Sequence, residues 1–312
     1  MYGTRVYRLP RPRLKFFVDR ESEIEDISSI LLSGGNVLLL GLRGYGKSAL
    51  SGKIVDILEN RGVKTLYINC LKIINPDSLF EEAERDCSLI GRADEFRFSR
   101  GLDARVTLDV FFNTIMEKGV QVLVLDEITA LLKRFGEFKP FSSIGGAEAV
   151  VGYIRDYIES SKLGVLASDT SIGAIYELIL NYSSPLLKSF HKVVFLDPLK
   201  VPDAANLLMI VMERRNKKIN KKVAWNVAQQ MFGVPQYIIF IGYALPNNPS
   251  MDIAREVIIE EFLSGTLNVY FELFLEKFSY EQKAILYAIG RGAKTYSAIS
   301  KRSSRSAGRY AP

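Results

Sequence analysis

Histidine occurs once in the 312 residues and cysteine twice. The lone His191 excludes any multi-histidine metal site and any catalytic set that needs two imidazoles. Cys70 and Cys87 form no C-x-x-C pair, so neither a zinc site nor a disulfide framework is implied. That cysteine usage leads us to expect an intracellular, cytoplasmic protein. No apolar run approaches the roughly 20 residues that span a bilayer. The longest, YIIFIGYAL at Tyr237–Leu245, suits a core helix, and no membrane partner is expected. The N-terminus, MYGTRVYRLPRPRLKF, is basic but lacks the apolar stretch of a signal peptide. Internal repeats and low-complexity tracts are also lacking.

Acidic residues are missing from one region in particular. From Gln282 to Pro312 there are seven basic residues and no Asp or Glu, within a net charge of +6 for the whole chain. The rest of the chain is therefore close to neutral. Smaller basic clusters lie at Arg5–Lys15 and Arg214–Lys222. Such patches suit either a polyanionic partner or a solvated tail. With 48% hydrophobic and 24% charged residues, the composition is that of a globular chain able to bury a large core.

In the first two thirds, short apolar runs alternate with helical patterns. Val37–Leu40, Thr65–Asn69, Val120–Leu125, Gly164–Ala167 and Lys192–Leu196 read as parallel strands buried on both faces. Ser48–Asn60, Pro76–Cys87, Leu108–Lys118, Ala147–Ser160 and Ile172–Leu180 read as helices between them. The alternation predicts an α/β domain with a parallel sheet. Arg92–Arg105 shows no clear period, and Phe135–Gly146, rich in Gly, Pro and Ser, reads as a mobile loop. After Pro198 the strands stop, and Asp203–Arg215, Lys221–Phe232, Gln236–Ala244 and Met251–Ser264 are helical in pattern. Boundaries near 200 and 265 divide the chain into 1–200, 201–264 and 265–312.

The stretch GLRGYGKS, Gly41–Ser48, fits the phosphate-loop pattern G-x-x-x-x-G-K-S/T. An apolar strand pattern, NVLLL, precedes it and a helix pattern, SALSGKIVDIL, follows. Gly41, Leu42, Arg43, Gly44, Tyr45 and Gly46 offer a backbone that curls around phosphates with its N–H groups inward. The helix that follows, beginning at Ser48 and Ala49, adds the positive end of its dipole. Lys47 is expected to meet the β- and γ-phosphates, and the Ser48 hydroxyl to ligate Mg²⁺. The run VLVLDE, Val122–Glu127, supplies the carboxylates. Asp126, at a strand end, is placed for the magnesium shell, and Glu127 is placed to polarise an attacking water. At the next strand end, VLASDT, Ser168 is the first choice and Thr170 the second for a hydroxyl that contacts the γ-phosphate; a helix N-cap is the alternative role.

With these residues the chain resembles the AAA+/STAND class of P-loop ATPases, and within it the archaeal ATPase group. That resemblance implies a five-stranded sheet of order 5-1-4-3-2, a helical lid and a winged helix. It implies ATP or ADP with Mg²⁺ as ligands. FFVDRESEIEDI, Phe16–Ile27, resembles the class's N-terminal box and would put Val18 and Arg20 at the adenine. MFGVPQYI, Met231–Ile238, resembles the lid motif in which Pro235 packs near the adenine; Pro235 also suits the first position of a helix. Two departures stand out. Lys188-Ser189 replaces the Gly-Arg pair of the group, and lysine is not an equivalent fork donor, so slow hydrolysis is expected. Tyr280–Ser303 resembles the first two helices of a winged helix, and SRSAGRYAP after it is too short for the recognition helix, so that module reads as truncated.

The leading reading is thus a switch ATPase that moves its lid and C-terminal module and passes the motion to a protein partner. The alternative is an ATP-gated DNA-binding regulator or replication-initiator-like loader that meets nucleic acid through the basic C-terminus. A small-molecule kinase is the third, disfavoured by the all-helical region after Pro198. The protein would be a monomer or a nucleotide-dependent oligomer, with Arg134 and Arg155 the candidates for an arginine offered to a neighbour.

Overall fold

The structure, a computed structural model, describes residues 16–89, 100–170, 172–181, 184–276, 278–295 and 297–301. The basic cluster at Arg5–Lys15, most of the unpatterned stretch before residue 100 and the tail from residue 302 lie outside the described residues.

Five strands form one parallel sheet: β1 Asn36–Leu40, β2 Thr65–Asn69, β3 Val122–Asp126, β4 Gly164–Asp169 and β5 Lys192–Phe195. Their order is β2-β3-β4-β1-β5, which is 5-1-4-3-2 read from the other edge. Strands β1 to β4 carry near-continuous apolar sequence because both faces of the sheet are covered. Leu38, Leu40, Leu66, Ile68, Leu123, Leu125, Val165 and Ala167 enter one hydrophobic cluster. Their alternate neighbours Val37, Leu39, Tyr67, Val122, Val124 and Leu166 enter another.

Helices α1 Glu21–Leu32 and α2 Lys47–Asn60 bring Ile27, Leu31, Leu50 and Ile54 to the second cluster. On the first lie α3 Pro76–Leu89, α4 Ala104–Glu117, α5 Ile128–Gly136 and α6 Ala147–Ser160, with Phe80, Phe111, Leu131 and Ile154. A short α7, Ile172–Ile175, leads into a wider turn over Tyr176–Leu180. Helix α5 is not marked by the sequence pattern. It takes up the start of the stretch read as a mobile loop, and that stretch is packed: Phe135 and Phe141 are buried, the latter in a single tight turn, Phe141–Ser143. Aromatic burial outweighs the local Gly, Pro and Ser content there.

The helical part that follows carries α8 Val201–Glu213, α9 Lys221–Gln230, α10 Pro235–Ala244, α11 Met251–Leu263, α12 Thr266–Leu275 and α13 Tyr280–Gly290, the last opened by a capping box at Ser279 and Gln282. The chain separates into two compact units. One holds residues up to Leu207 together with Phe232–Gln236; the other holds Leu208–Met231 and residues from Tyr237 onward. Among the described residues no helix is long and apolar enough to cross a membrane.

Candidate nucleotide site

The parallel register brings several polar residues to one end of the sheet. Asp126 pairs with Asn69 on one side and Ser168 on the other, and Leu40 pairs with Asp169. In a parallel sheet the carboxyl ends of the strands are where ligands gather. The loop Gly41–Gly46 leaves β1 at this end and turns into α2. His191 lies at the opposite end, where its Nδ1 accepts the Asn36 N–H at 2.9 Å. The lone histidine thus belongs to the strand pairing.

Gly46 is the N-cap of α2 at φ 97°, a left-handed conformation open to glycine. It gives α2 no side-chain cap, and a Cβ added there would meet nothing within 4 Å. The first-turn N–H groups and the space before them are therefore free for an oxyanion. Lys47 is buried, and its Nζ donates to the carbonyls of Gly41 at 2.7 Å and Leu42 at 3.3 Å. Burial lowers its pKa, against the pull of the Glu127, Asp126 and Asp169 carboxylates, which favour the charged form. Leu42 and Arg43 are exposed, and Gly44, Tyr45, Ser48 and Ala49 are half-buried.

Asp126 is buried and held on both oxygens. Tyr67 Oη donates to Oδ2 at 2.6 Å, and Ser168 Oγ donates to Oδ1. Burial together with Asp126 raises the Tyr67 pKa well above the ordinary tyrosine value, with the nearby Ser48 side chain acting the other way. The phenol bonded to Asp126 thus lies close to the Ser48 side chain. Ser168 sits behind Asp126, fully buried, whereas Thr170 faces Glu127. Thr170 donates from its N–H to Glu127 Oε2 at 3.1 Å and from its hydroxyl to Oε1. Glu127 is the N-cap of α5 at φ 61°, ψ 55°, an uncommon conformation for a residue with a side chain. Burial raises its pKa, opposed by the Thr170 hydrogen bonds.

The Ser48 hydroxyl and the hydrogen-bonded Asp126 carboxylate are hard oxygen donors, and burial keeps the neighbouring Cys70 thiol protonated. That donor set fits Mg²⁺, which takes one or two protein oxygens and completes its shell with water and phosphate.

Val18 is half-buried, and Arg20 is buried with its guanidinium donating to the Asp197 carbonyl and, at 2.9 Å, to Glu23 Oε1. Pro235 opens α10 as its first residue. Just before it, Gly233 at φ 68° accepts the Leu199 N–H at 2.9 Å, and a Cβ there would collide with the Leu199 carbonyl. Just after it, the Gln236 N–H donates to the carbonyl of Gly44 in the phosphate loop at 3.2 Å. At the replaced Gly-Arg position, Lys188 is exposed and Ser189 Oγ donates to Glu159 Oε1 at 2.7 Å. Arg134 and Arg155 pair within their own helices or turns, with Glu137 and with Asp156 and Glu159.

A family model described as an ATPase domain predominantly from Archaea matches residues 17–239. The chain belongs to this ATPase family. No curated protein sequence matches it. Among solved structures the ATPase domain is similar to the Walker-type ATPase Paby2304 of Pyrococcus abyssi, with a TM-score of 0.69 at 20% identity, over 93% of this chain and 84% of that one. It is also similar to the Aeropyrum pernix ORC2 protein, solved as ADPNP and ADP complexes, with a TM-score of 0.55 at 16% identity over 92% and 79%. A variant of Thermotoga maritima RuvB gives 0.51 at 16% identity over 91% and 82%. At these identities the likeness is one of fold, an AAA+-like P-loop core followed by helices. Tyr67, Thr129, Asp169 and Gln236 belong to the ATPase's polar network although no motif gave them a role, Asp169 lying within VLASDT and Gln236 within MFGVPQYI. The one trace they leave in sequence is a polar group inside or beside an apolar run.

Proposed function

We propose that this ATPase domain is a Mg-ATP switch of the STAND type, slow in turnover, in which the bound nucleotide sets the position of the helical region after Pro198. The observation that carries this reading is the seating of Gly233-Val234-Pro235-Gln236 on the phosphate loop through the Gln236 N–H to Gly44 carbonyl hydrogen bond, while the Leu199 N–H, after β5, donates to the Gly233 carbonyl of the same segment. A loop that rearranges around a third phosphate pulls directly on the start of α10. ATP and ADP then differ in affinity for two arrangements, which is what a switch requires.

In this reading Lys47 turns from the Gly41 and Leu42 carbonyls to the β- and γ-phosphate oxygens. Ser48 and Asp126 would hold Mg²⁺, which would supply positive charge to offset that of the phosphates. Glu127, made more basic by burial, accepts a proton from water as the water oxygen bonds to the γ-phosphorus. The bond to the β–γ bridging oxygen breaks, and ADP leaves with its electron pair. Val18 and Pro235 would flank the adenine, and Arg20 would hold the N-terminal box to the segment after β5. Ser168 would orient Asp126, and Thr170 would restrain Glu127 between turnovers. The absence of an arginine at Lys188-Ser189 accounts for slow hydrolysis, since such an arginine supplies about 10³–10⁵ in rate.

Lys47→Ala is expected to lower affinity for a fluorescent ATP analogue at least about a hundredfold, and Glu127→Gln to keep that affinity while phosphate release drops to background. Equal phosphate release from Glu127→Gln and the parent would remove Glu127 from the role of water activator. A second reading, ATP-gated contact with nucleic acid, is favoured by Lys283 lying over the Tyr280 ring and Arg291 over the Tyr287 ring on α13. It predicts DNA affinity that falls steeply with salt; weak binding that does not change with salt rejects it.

A further inference from the structure

We propose that Asp169 is a positioning residue for Glu127: from the end of β4 it caps the first turn of α5 and so fixes the backbone twist on which the Glu127 carboxylate is carried. The proposal rests on the reading of Glu127 as the residue that activates water.

Four observations carry it. Glu127 stands in the left-handed region, at φ 61°, and offers no side-chain cap to its own helix. A residue with a side chain costs roughly 1–3 kcal/mol there and keeps that conformation only when its surroundings over-determine it. The upstream restraint is visible: Asp126 is held by Tyr67 and Ser168. The downstream restraint is Asp169. Its Oδ2 accepts both the Thr129 N–H, at 2.8 Å, and the Thr129 hydroxyl, at 2.7 Å. Thr129 is the second residue of α5, so this carboxylate satisfies a first-turn N–H that an N-cap side chain would ordinarily take. The cap comes from another strand, 40 residues away in sequence. Asp169 is 1% exposed and Thr129 6%, so the bond is shielded from water and is of the stronger, charge-assisted kind.

Asp169 also lies within electrostatic reach of Lys47. The competing role is therefore charge balance for the phosphate-binding lysine, which predicts a change in nucleotide affinity. The proposed role predicts a change in turnover alone.

The test is steady-state ATP hydrolysis by the full chain as Asp169→Ala, Asp169→Asn, Glu127→Gln and the Glu127→Gln/Asp169→Ala double variant. Asp169→Ala is expected to lower kcat about tenfold to a hundredfold, the range seen when an outer-shell partner is removed, with KM within about threefold of the parent. Asp169→Asn keeps one oxygen able to accept the Thr129 N–H and should recover part of the loss. In the Glu127→Gln background, Asp169→Ala should change the residual rate by less than about twofold, because residues acting through one another are not additive. A KM that rises in parallel, a further full loss in that background, or parental kcat for Asp169→Ala overturns the proposal. If Asp169→Ala does not fold, Thr129→Val removes one of the two bonds, and a smaller fall in kcat is expected; unchanged kcat counts against the proposal. Amide hydrogen exchange at the start of α5 separates the two readings. Faster exchange in Asp169→Ala supports the cap and unchanged exchange overturns it, while parental turnover by Glu127→Gln overturns the glutamate assignment instead.

Discussion

The sheet-bearing unit and the helical unit treat their side chains in opposite ways. In the first, every residue of β1, β3 and β4 is buried, and so are Lys47, Asp126, Ser168 and Asp169. Burying polar groups is costly unless they are paired, and here Tyr67, Ser168, Thr129 and the loop carbonyls do the pairing. In the second unit, large apolar side chains remain exposed along α11 to α13, among them Leu263, Leu273 and Ile289. Its aromatic contacts, such as Phe262 with Phe271 and Tyr237 with Phe271, include residues of the surface-facing helices. The contrast teaches where residue identity is constrained. At the sheet's carboxyl end a change of one atom leaves a buried charge unpaired; on α11 to α13 the same change costs little.

The sharpest way to break this comparison is to open a cavity in one unit and read the other. Phe111 is 1% exposed in the first cluster. Phe111→Ala should cost about 3–5 kcal/mol, and Leu273→Ala, at 57% exposure, within about 0.5 kcal/mol. The only tryptophan, Trp225, lies on α9 in the helical unit, so its fluorescence reports that unit while circular dichroism reports both. Phe111→Ala should move the dichroism midpoint in denaturant and leave the fluorescence midpoint in place. Midpoints that move together would mean one cooperative body and would end the comparison.

A smaller effect is expected at Gly233. Alanine there must adopt φ 68° and meet the Leu199 carbonyl, the backbone conformation alone costing roughly 1–3 kcal/mol. Because Gly233 and Gln236 sit on the phosphate loop's side of the chain, Gly233→Ala should also weaken nucleotide binding, measured by calorimetry. A stability loss with parental affinity would show that this segment serves folding and not the nucleotide.

Much of this was legible from local pattern. All five strands were placed to within two residues at their starts and ends, because a parallel strand covered on both faces must be a short apolar run with polar ends. Helix α5 was not, since Phe135-Gly136 and the Pro140-Phe141-Ser142-Ser143 stretch carry turn residues and the decisive term is burial of two phenylalanines against the sheet. Helix α12 escaped for the converse reason: TLNVYFELFL is apolar on too many sides to show a helical period.

The phosphate loop, the Asp126-Glu127 pair and the alternation of strands and helices follow from the amino-acid sequence by itself, because each depends on neighbours within a few residues. What only the tertiary structure decided is who holds whom. Ser168 lies against Asp126 and Thr170 against Glu127 because β3 and β4 pair in one particular register. Tyr67 holds Asp126, Asp169 caps α5, Arg20 reaches the Asp197 carbonyl and Gln236 reaches Gly44. A hydroxyl, a carboxylate or an amide has many partners open to it in sequence. It acquires one only when the packed sheet brings residues far apart in the chain within hydrogen-bonding distance and removes the competing water.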